Sequence, residues 1–197
     1  MEKDLVANLL KSSFSSGKVK VMLSKEIMGE YIQRTTTTKV WNPYLQPWET
    51  IKTDILNIEK SAFSPQVAST EERLYRVFNL TSTSVIFLLN DKGDIVGYTC
   101  AYPLSENKTK DDKTAYIEST AIKPDYQGFR LVGKLIGSLE EALKRKGFMY
   151  IERDALIDNG YADKITRSDT YKERILESYD WFNTYMQQWQ RHFKIRL

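Results

Sequence analysis

The sequence predicts an α/β fold in which a mixed, mostly antiparallel sheet is flanked by helices. Residues 84–89 and 94–104 are rich in apolar residues and are joined by a polar turn, a pattern typical of a hairpin. Residues 114–122 form a third strand-like segment. It is followed by the clearest amphipathic helix of the chain, over 131–146, and by another strand over 148–152. Such a strand–helix–strand unit predicts a parallel strand pair with a right-handed crossover.

The remaining elements of this fold are shorter. Residues 35–41 are β-branched and predict a first strand, and residues 48–63 carry an Ile51–Ile55–Ile58 stripe at helical spacing. Residues 69–78 predict a second helix with Ser69 as its cap. Residues 191–197 predict a last strand. The aromatic cluster before it either closes the sheet as a hairpin or lines a pocket, and we favour the hairpin.

Residues 1–35 are interpreted as an N-terminal helical extension, and residues 36–197 as the main domain. Within the extension, 2–14 and 24–31 have helical spacing, with Ser24 as a cap, and 19–23 predicts a strand. We favour packing of this segment against the main domain over a lid or a homodimer contact.

Composition excludes several classes of function. The 197 residues include one cysteine and one histidine, which argues against a disulfide framework, a His-based triad and a metal centre. The net charge of +3 is too small to indicate nucleic-acid binding. The longest apolar run, over 85–89, is far too short for a membrane span, and no signal peptide is evident. We therefore expect a cytoplasmic protein without a metal.

The junction between the third strand and the long helix carries the strongest chemical signal. A strand ends near Ile122, a turn containing Gly128 follows, and the helix begins at Leu131. The first turn of a helix has unpaired backbone N–H groups and a partial positive charge, so it can bind phosphate without a basic side chain. Arg130 and Lys134 add positive charge. A pyrophosphate group is the predicted ligand.

This stretch resembles the acetyl-coenzyme A signature of the GNAT N-acetyltransferases, Gln/Arg-x-x-Gly-x-Gly/Ala, with Gln127 as its first residue. The sequence departs from the signature at Arg130 and Val132, which replace its two small residues, and Gly133 follows one position later. The element order over about 36–152 also follows that family. The resemblance implies a GNAT-like acyl-CoA N-acyltransferase fold with about six to seven strands. It also implies a set of cofactor-binding residues: Ala121, Ile122, Gln127, Gly128, Phe129, Arg130, Leu131, Val132, Gly133, Lys134 and Asn159.

The resemblance also implies catalytic roles. The backbone N–H groups of Ala121 and Ile122 would stabilise the oxyanion beside the thioester. Glu118, on the preceding strand, is the candidate base for the acceptor amine. Relatives often protonate the leaving thiolate with a tyrosine at the position that is Thr166 here. Tyr171 is therefore the first candidate for that acid, and Tyr161 the second.

The sequence thus predicts an acetyl-CoA-dependent N-acetyltransferase that transfers an acetyl group to a primary amine by direct attack in a ternary complex. The acceptor is open, and small molecules and proteins both fit. The alternative is a degenerate GNAT-fold module that binds acyl-CoA or another protein without catalysis. This alternative stays open because Arg130 and Val132 replace the two small residues of the signature.

Overall fold

The computed structural model of the protein describes residues 25–80, 82–107 and 113–197. The helices are α1 Lys25–Thr35, α2 Trp48–Ala62, α3 Glu71–Phe78, α4 Leu131–Arg145 and α5 Tyr161–Thr166. The strands are β1 Thr37–Val40, β2 Ser84–Leu89, β3 Ile95–Pro103, β4 Thr114–Ile122, β5 Tyr150–Leu156, β6 Ile175–Asn183 and β7 Gln188–Arg196. Short 3₁₀ turns cover Leu104–Asn107 and Pro124–Tyr126.

The described strands form a seven-stranded sheet in the order β1-β2-β3-β4-β5-β7-β6. Every neighbouring pair is antiparallel except β4 and β5, which are parallel and are connected through α4. The mixed, mostly antiparallel sheet predicted from the sequence is confirmed.

Two apolar cores lie on opposite faces of this sheet. On one face, α4 contributes Leu135 and Leu139 to a cluster that includes Ile117 of β4 and Phe193 of β7. On the other face, α2 and α3 pack over β2, β3 and β4, and the fully buried Tyr98 lies in that cluster.

Helix α1 packs against the core on the α4 side of the sheet. This agrees with the expectation that the N-terminal extension packs against the main domain. Ile32 is buried in the α4-side cluster. The Gln33 amide donates to the carbonyl of Phe129 at 3.1 Å, and the Lys134 ammonium donates to the carbonyl of Gln33 at 2.8 Å. The predicted helix over 2–14, the predicted strand over 19–23 and the cap Ser24 lie outside the described residues.

Several predicted boundaries differ from the structure; β5, for example, covers Tyr150–Leu156 and not 148–152. Helix α3 is capped by Thr70, whose side chain accepts from the N–H of Arg73 at 3.2 Å. The predicted cap Ser69 instead donates its backbone N–H to the carboxylate of Glu59 at 2.7 Å, so it is held by α2. At the C-terminus, β6 and β7 form a full hairpin, which extends the predicted last strand toward its N-terminal side.

The sheet opens between its two parallel strands. The pairing of β4 with β5 covers only Thr114–Ile117 and Tyr150–Arg153. Both strands continue past this point, β4 to Ile122 and β5 to Leu156, without pairing with each other. A gap therefore forms in the middle of the sheet, at the end where α4 begins. None of the described helices is long and apolar enough to span a membrane.

Candidate active site

Three connected cavities follow the gap between β4 and β5. A helix-side cavity of about 350 Å³ lies at the start of α4. A central cavity of about 110 Å³ lies between the two strands and shares Phe63, Thr120, Asn159 and Tyr161 with it. An outer cavity of about 300 Å³ opens at the start of α3 and shares Ser69, Arg73 and Met186 with the central one. Together they form one cleft that passes through the sheet.

The helix-side cavity collects most of the residues predicted to bind the cofactor. Those that line it are Ala121, Ile122, Gln127, Gly128, Arg130, Leu131, Val132 and Asn159. Helix α4 starts there with no side-chain cap and with no acidic residue in its first turn. Its first N–H groups therefore keep the free donors and the partial positive charge that suit a phosphate.

The turn before α4 is built on left-handed backbone. Gly128 has φ 82° and the cap residue Arg130 has φ 58°. Because a non-glycine residue is strained in this region, glycine is the residue that fits best at position 130. The chain nevertheless accepts arginine there, and the guanidinium side chain lines the cavity.

Three predicted cofactor residues do not line the cavities. Phe129 packs against the α4-side core, and Lys134 donates to carbonyls at the end of α1. A Cβ placed on Gly133 would meet nothing within 4 Å, so this position faces open space.

Gln127, the predicted first residue of the signature, also has a structural role. Its amide donates to the carbonyl of Ile122 at 2.8 Å and connects the turn to β4. Lys164 of α5 lines the cavity and was not predicted.

The backbone of β4 presents only alternate donors to the gap. The N–H of Lys123 donates to the carbonyl of Val96 at 2.9 Å, so Ala121, two residues earlier, also bonds toward β3. The carbonyl of Ala121 indeed lies 2.9 Å from the Cβ position of Gly97 on β3. The N–H groups that face the gap are therefore those of Thr120 and Ile122. Of the two predicted donors, Ile122 therefore faces the gap and Ala121 faces β3, whereas Thr120, which was not predicted, also faces the gap.

Glu118 of β4 lines the central cavity, where it faces α3. Its side chain is 3% exposed and pairs with Arg73 of α3, which is 39% exposed. The hydroxyl of Tyr102 donates to its second carboxylate oxygen at 3.2 Å. The carboxylate is thus fixed in position by two elements while it remains at the wall of the cleft.

A second buried carboxylate, Glu59 of α2, lines the same cavity and was not predicted as a site residue. It accepts from the hydroxyls of Tyr98 at 2.6 Å and Ser119 at 2.9 Å, in addition to the N–H of Ser69. Burial raises its pKa above the ordinary value, against the opposing effect of these hydrogen bonds. Its place in an amphipathic helix, where charged residues are common, gave no chemical signal in the sequence.

Asp154 of β5 is the third carboxylate of the central cavity. It contacts His192 of β7 at 2.9 Å and accepts from the hydroxyl of Tyr116 at 2.7 Å and the indole of Trp181 at 3.3 Å. Burial opposes ionisation, but the hydrogen bonds from His192 and Tyr116 outweigh it and lower the pKa of Asp154. The sole histidine of the sequence therefore belongs to this network. The described residues contain no cluster of His, Cys, Asp and Glu that could hold a metal.

The two candidate tyrosines lie in different places. Tyr161 lines both the helix-side and the central cavity, and the buried Arg153 guanidinium lies 5.0 Å from its ring centroid. No described residue accepts a hydrogen bond from the Nε of Arg153. Tyr171, the first candidate from sequence, packs against the α4-side core instead, and burial raises its pKa. The structure brings Tyr161, and not Tyr171, into the described cleft beside β4.

Comparison with known proteins identifies this architecture. The sequence model of the acetyltransferase (GNAT) family matches residues 52–162, more than half of the chain. The chain belongs to the GNAT acetyltransferase family. The matched segment contains β4, the turn at Gly128 and α4, so the family match falls on the elements that form the helix-side cavity. No curated protein matches the sequence.

Solved GNAT structures share the fold at low sequence identity. The ribosomal-protein-S18-alanine N-acetyltransferase from Escherichia coli is 13% identical, with a TM-score of 0.61, covering 82% of this chain and 93% of its own. Ard1 from Thermoplasma volcanium is 12% identical, with a TM-score of 0.61, covering 83% and 99%. A GNAT acetyltransferase from Elizabethkingia anophelis with acetyl-CoA bound is 14% identical, with a TM-score of 0.54, covering 83% and 99%.

Proposed function

We propose that this GNAT protein is an acetyl-CoA-dependent N-acetyltransferase that acetylates a primary amine by direct transfer in a ternary complex. The observation that carries the proposal is the gap between β4 and β5, which opens onto the uncapped start of α4. Residues 36–197 would form the catalytic domain, with residues 1–35 as its extension. The acetyl-CoA bound to the Elizabethkingia relative supports the choice of co-substrate.

The residues of the helix-side cavity fit the co-substrate. The first-turn N–H groups of α4, together with the side chains of Arg130 and Lys164, would hold its diphosphate. The Thr120 and Ile122 backbone groups facing the gap would hold the pantetheine arm and the thioester oxygen. Acetyl-CoA supplies the acetyl group as an activated thioester.

The central cavity provides the acid–base groups. Glu118 would receive a proton from the ammonium of the acceptor, so that the neutral nitrogen can form the C–N bond as the C–S bond breaks. Tyr161 would give its proton to the leaving sulfur, in place of Tyr171, and its phenolate would take the second proton that the nitrogen loses after the C–N bond has formed. The buried Arg153 beside Tyr161 favours the negative charge that develops there.

Direct transfer is favoured over an acyl-enzyme. Cys100, the single cysteine of the chain, is fully buried in β3, and burial raises the pKa of its thiol. A thiol that is neutral and inaccessible is a poor nucleophile. The acetyl group would therefore pass straight from the co-substrate to the amine.

Position 133 offers a sharp test of the co-substrate site. A side chain at Gly133 meets open space, and an acidic residue in the first turn of a helix stabilises it. Gly133→Glu should therefore fold at least as well as the native protein while repelling the diphosphate. Gly133→Gln is the matched neutral control. In calorimetric titrations with acetyl-CoA, we expect micromolar binding for the native protein, and about tenfold weaker binding for the Glu variant than for the Gln variant.

The same titration, combined with an assay for release of CoA thiol, distinguishes an enzyme from a non-catalytic module. Binding of acetyl-CoA with release of CoA thiol in the presence of an amine supports the proposed function. Binding without thiol release for any amine supports a non-catalytic acyl-CoA-binding module. Absence of binding at millimolar acetyl-CoA contradicts the proposal and indicates that Arg130 and Val132 block the site.

A further inference from the structure

The outer cavity presents an unpaired positive charge at the acceptor entrance of the cleft. Arg76 of α3 is exposed and lines this cavity. Within residues 25–80, 82–107 and 113–197 it forms no ion pair or hydrogen bond. Arg73, one turn earlier, donates through Nε to Glu118, and its two terminal nitrogens donate to none of these residues. Two guanidinium groups that line the same cavity therefore have terminal donors without a partner among the described residues.

The charge changes sign along the cleft. The central cavity is lined by the carboxylates Glu59, Glu118 and Asp154, together with Arg153 and the shared Arg73. The outer cavity has Arg76 against the single acid Glu72, and it also has the terminal nitrogens of Arg73, whose charge is already balanced by Glu118. The interior thus suits an ammonium group, whereas the entrance suits an anion.

The walls of the entrance indicate a small ligand. Tyr185 and Met186, at the tip of the β6–β7 hairpin, lie across the outer cavity from α3. The outer cavity measures about 300 Å³ and narrows to the central cavity of about 110 Å³. A compact molecule with its two charges at opposite ends fits this shape.

We propose that the acceptor is a small amino acid-like molecule, a primary amine that also carries a carboxylate. The carboxylate is bound by Arg76 and the terminal nitrogens of Arg73, and the amino group reaches Glu118. Arginine is suited to this role because its planar donors bind a carboxylate in a bidentate manner. This inference rests on the proposed function and assigns the substrate class of the same site.

The test compares carboxylates with their neutral analogues. The acceptors are β-alanine, 4-aminobutyrate, 5-aminovalerate and 6-aminohexanoate, each paired with its carboxamide, with 1,4-diaminobutane and an Nα-blocked lysine amide added. Release of CoA thiol gives kcat and KM for each. We expect the carboxylate to exceed its amide by about tenfold in kcat/KM for at least one chain length.

Arg76 variants assign that preference to the entrance. Arg76→Gln should raise KM for the preferred carboxylate about tenfold and leave kcat/KM for its amide unchanged, and Arg76→Glu should reverse the preference. Arg145→Gln, an exposed arginine at the end of α4, is the matched control and should change neither value. Calorimetry with acetyl-CoA should give the same affinity for all these variants.

Three results overturn the inference while the proposed function stands: amides equal to carboxylates throughout, a diamine preferred over every carboxylate, or Arg76→Gln lowering amide and carboxylate activity alike. A different result concerns the proposed function itself. If none of the amines is acetylated although acetyl-CoA binds, then the catalytic proposal fails, and the acceptor assignment fails with it.

Discussion

The two ends of the cleft are built from different parts of the chain. The helix-side cavity is formed mainly by one continuous stretch, from Ala121 to Val132, and the backbone supplies its N–H donors, to which Arg130 and Lys164 add positive charge. The central and outer cavities are assembled from side chains on α2, α3, β4, β5 and the β6–β7 hairpin. Substitutions of side chains at the first end leave its donors in place, whereas substitutions at the second end remove the chemistry.

This difference explains how the chain can depart from the family signature. Arginine at position 130 and valine at 132 replace small residues, but the first-turn N–H groups of α4 remain uncapped. A phosphate can still be bound by those groups. At the proposed acceptor end the chemistry depends on side chains, because the Glu118 carboxylate is held in place by Arg73 and Tyr102.

The largest effect is expected from Glu118→Gln, which removes the base and keeps the shape. We expect kcat to fall by about 10²–10³-fold while acetyl-CoA affinity stays the same, because the helix-side cavity is unchanged. Thiol-release kinetics and calorimetry measure the two quantities. Glu141→Gln, on the exposed face of α4, is the control with unchanged activity. A Glu118→Gln enzyme with native kcat would exclude this carboxylate as the base.

The next largest effect on kcat is expected from Tyr161, and it distinguishes Tyr161 from Tyr171 as the acid. Tyr161→Phe removes a hydroxyl from the wall shared by the two cavities, and we expect kcat to fall by about 10–10²-fold. Tyr171→Phe removes a hydroxyl from the side of the α4 core and should change kcat by less than about twofold. The opposite order would return the acid to Tyr171.

The contrast between the two ends also marks what the sequence could predict. The turn before α4 is local: Gln127, Gly128 and the amphipathic pattern of α4 lie side by side in the sequence, so the strand–turn–helix geometry was predictable. Glu118 was predictable because a charged residue stands out in an otherwise apolar strand. Each of these signals is carried by neighbours along the chain.

The rest of the site depends on tertiary contacts that leave no local trace. Glu59 is buried because α2 packs on β3 and β4, where Tyr98 and Ser119 bond to it. Arg73 reaches the cleft only because α3 crosses the sheet there. Tyr161 was ranked below Tyr171 from its spacing, whereas the position of α5 beside the gap decides which ring lines the cleft. The direction of the Ala121 N–H follows from strand register, which the sequence does not specify.

The end of β4, where the helix-side cavity meets the central cavity, can be tested by a substitution at Gly97 of β3. A Cβ there would lie 2.9 Å from the Ala121 carbonyl oxygen and 3.0 Å from Cγ1 of Ile122. Gly97→Ala should therefore cost about 1–3 kcal/mol of unfolding free energy and displace the end of β4, which weakens acetyl-CoA binding. Gly137→Ala meets open space within α4 and should stabilise the protein by about 1 kcal/mol. Thermal unfolding and calorimetry check both, and equal melting temperatures for the two variants would contradict the close contact.

The smallest expected effect is a pH-dependent change in stability at the Asp154–His192 pair. The hydrogen bond to Asp154 raises the pKa of His192 above its ordinary value near 6.5, although burial opposes this. The pair therefore stabilises the fold fully below about pH 6.5, and this contribution is lost as the pH rises through the raised pKa of the folded state. His192→Gln should lower the melting temperature by about 2–4 °C at pH 6 and by less at pH 9. A loss that is equal at both pH values would show that His192 contributes through packing against Tyr179, whose ring lies 4.9 Å away, and not through its charge.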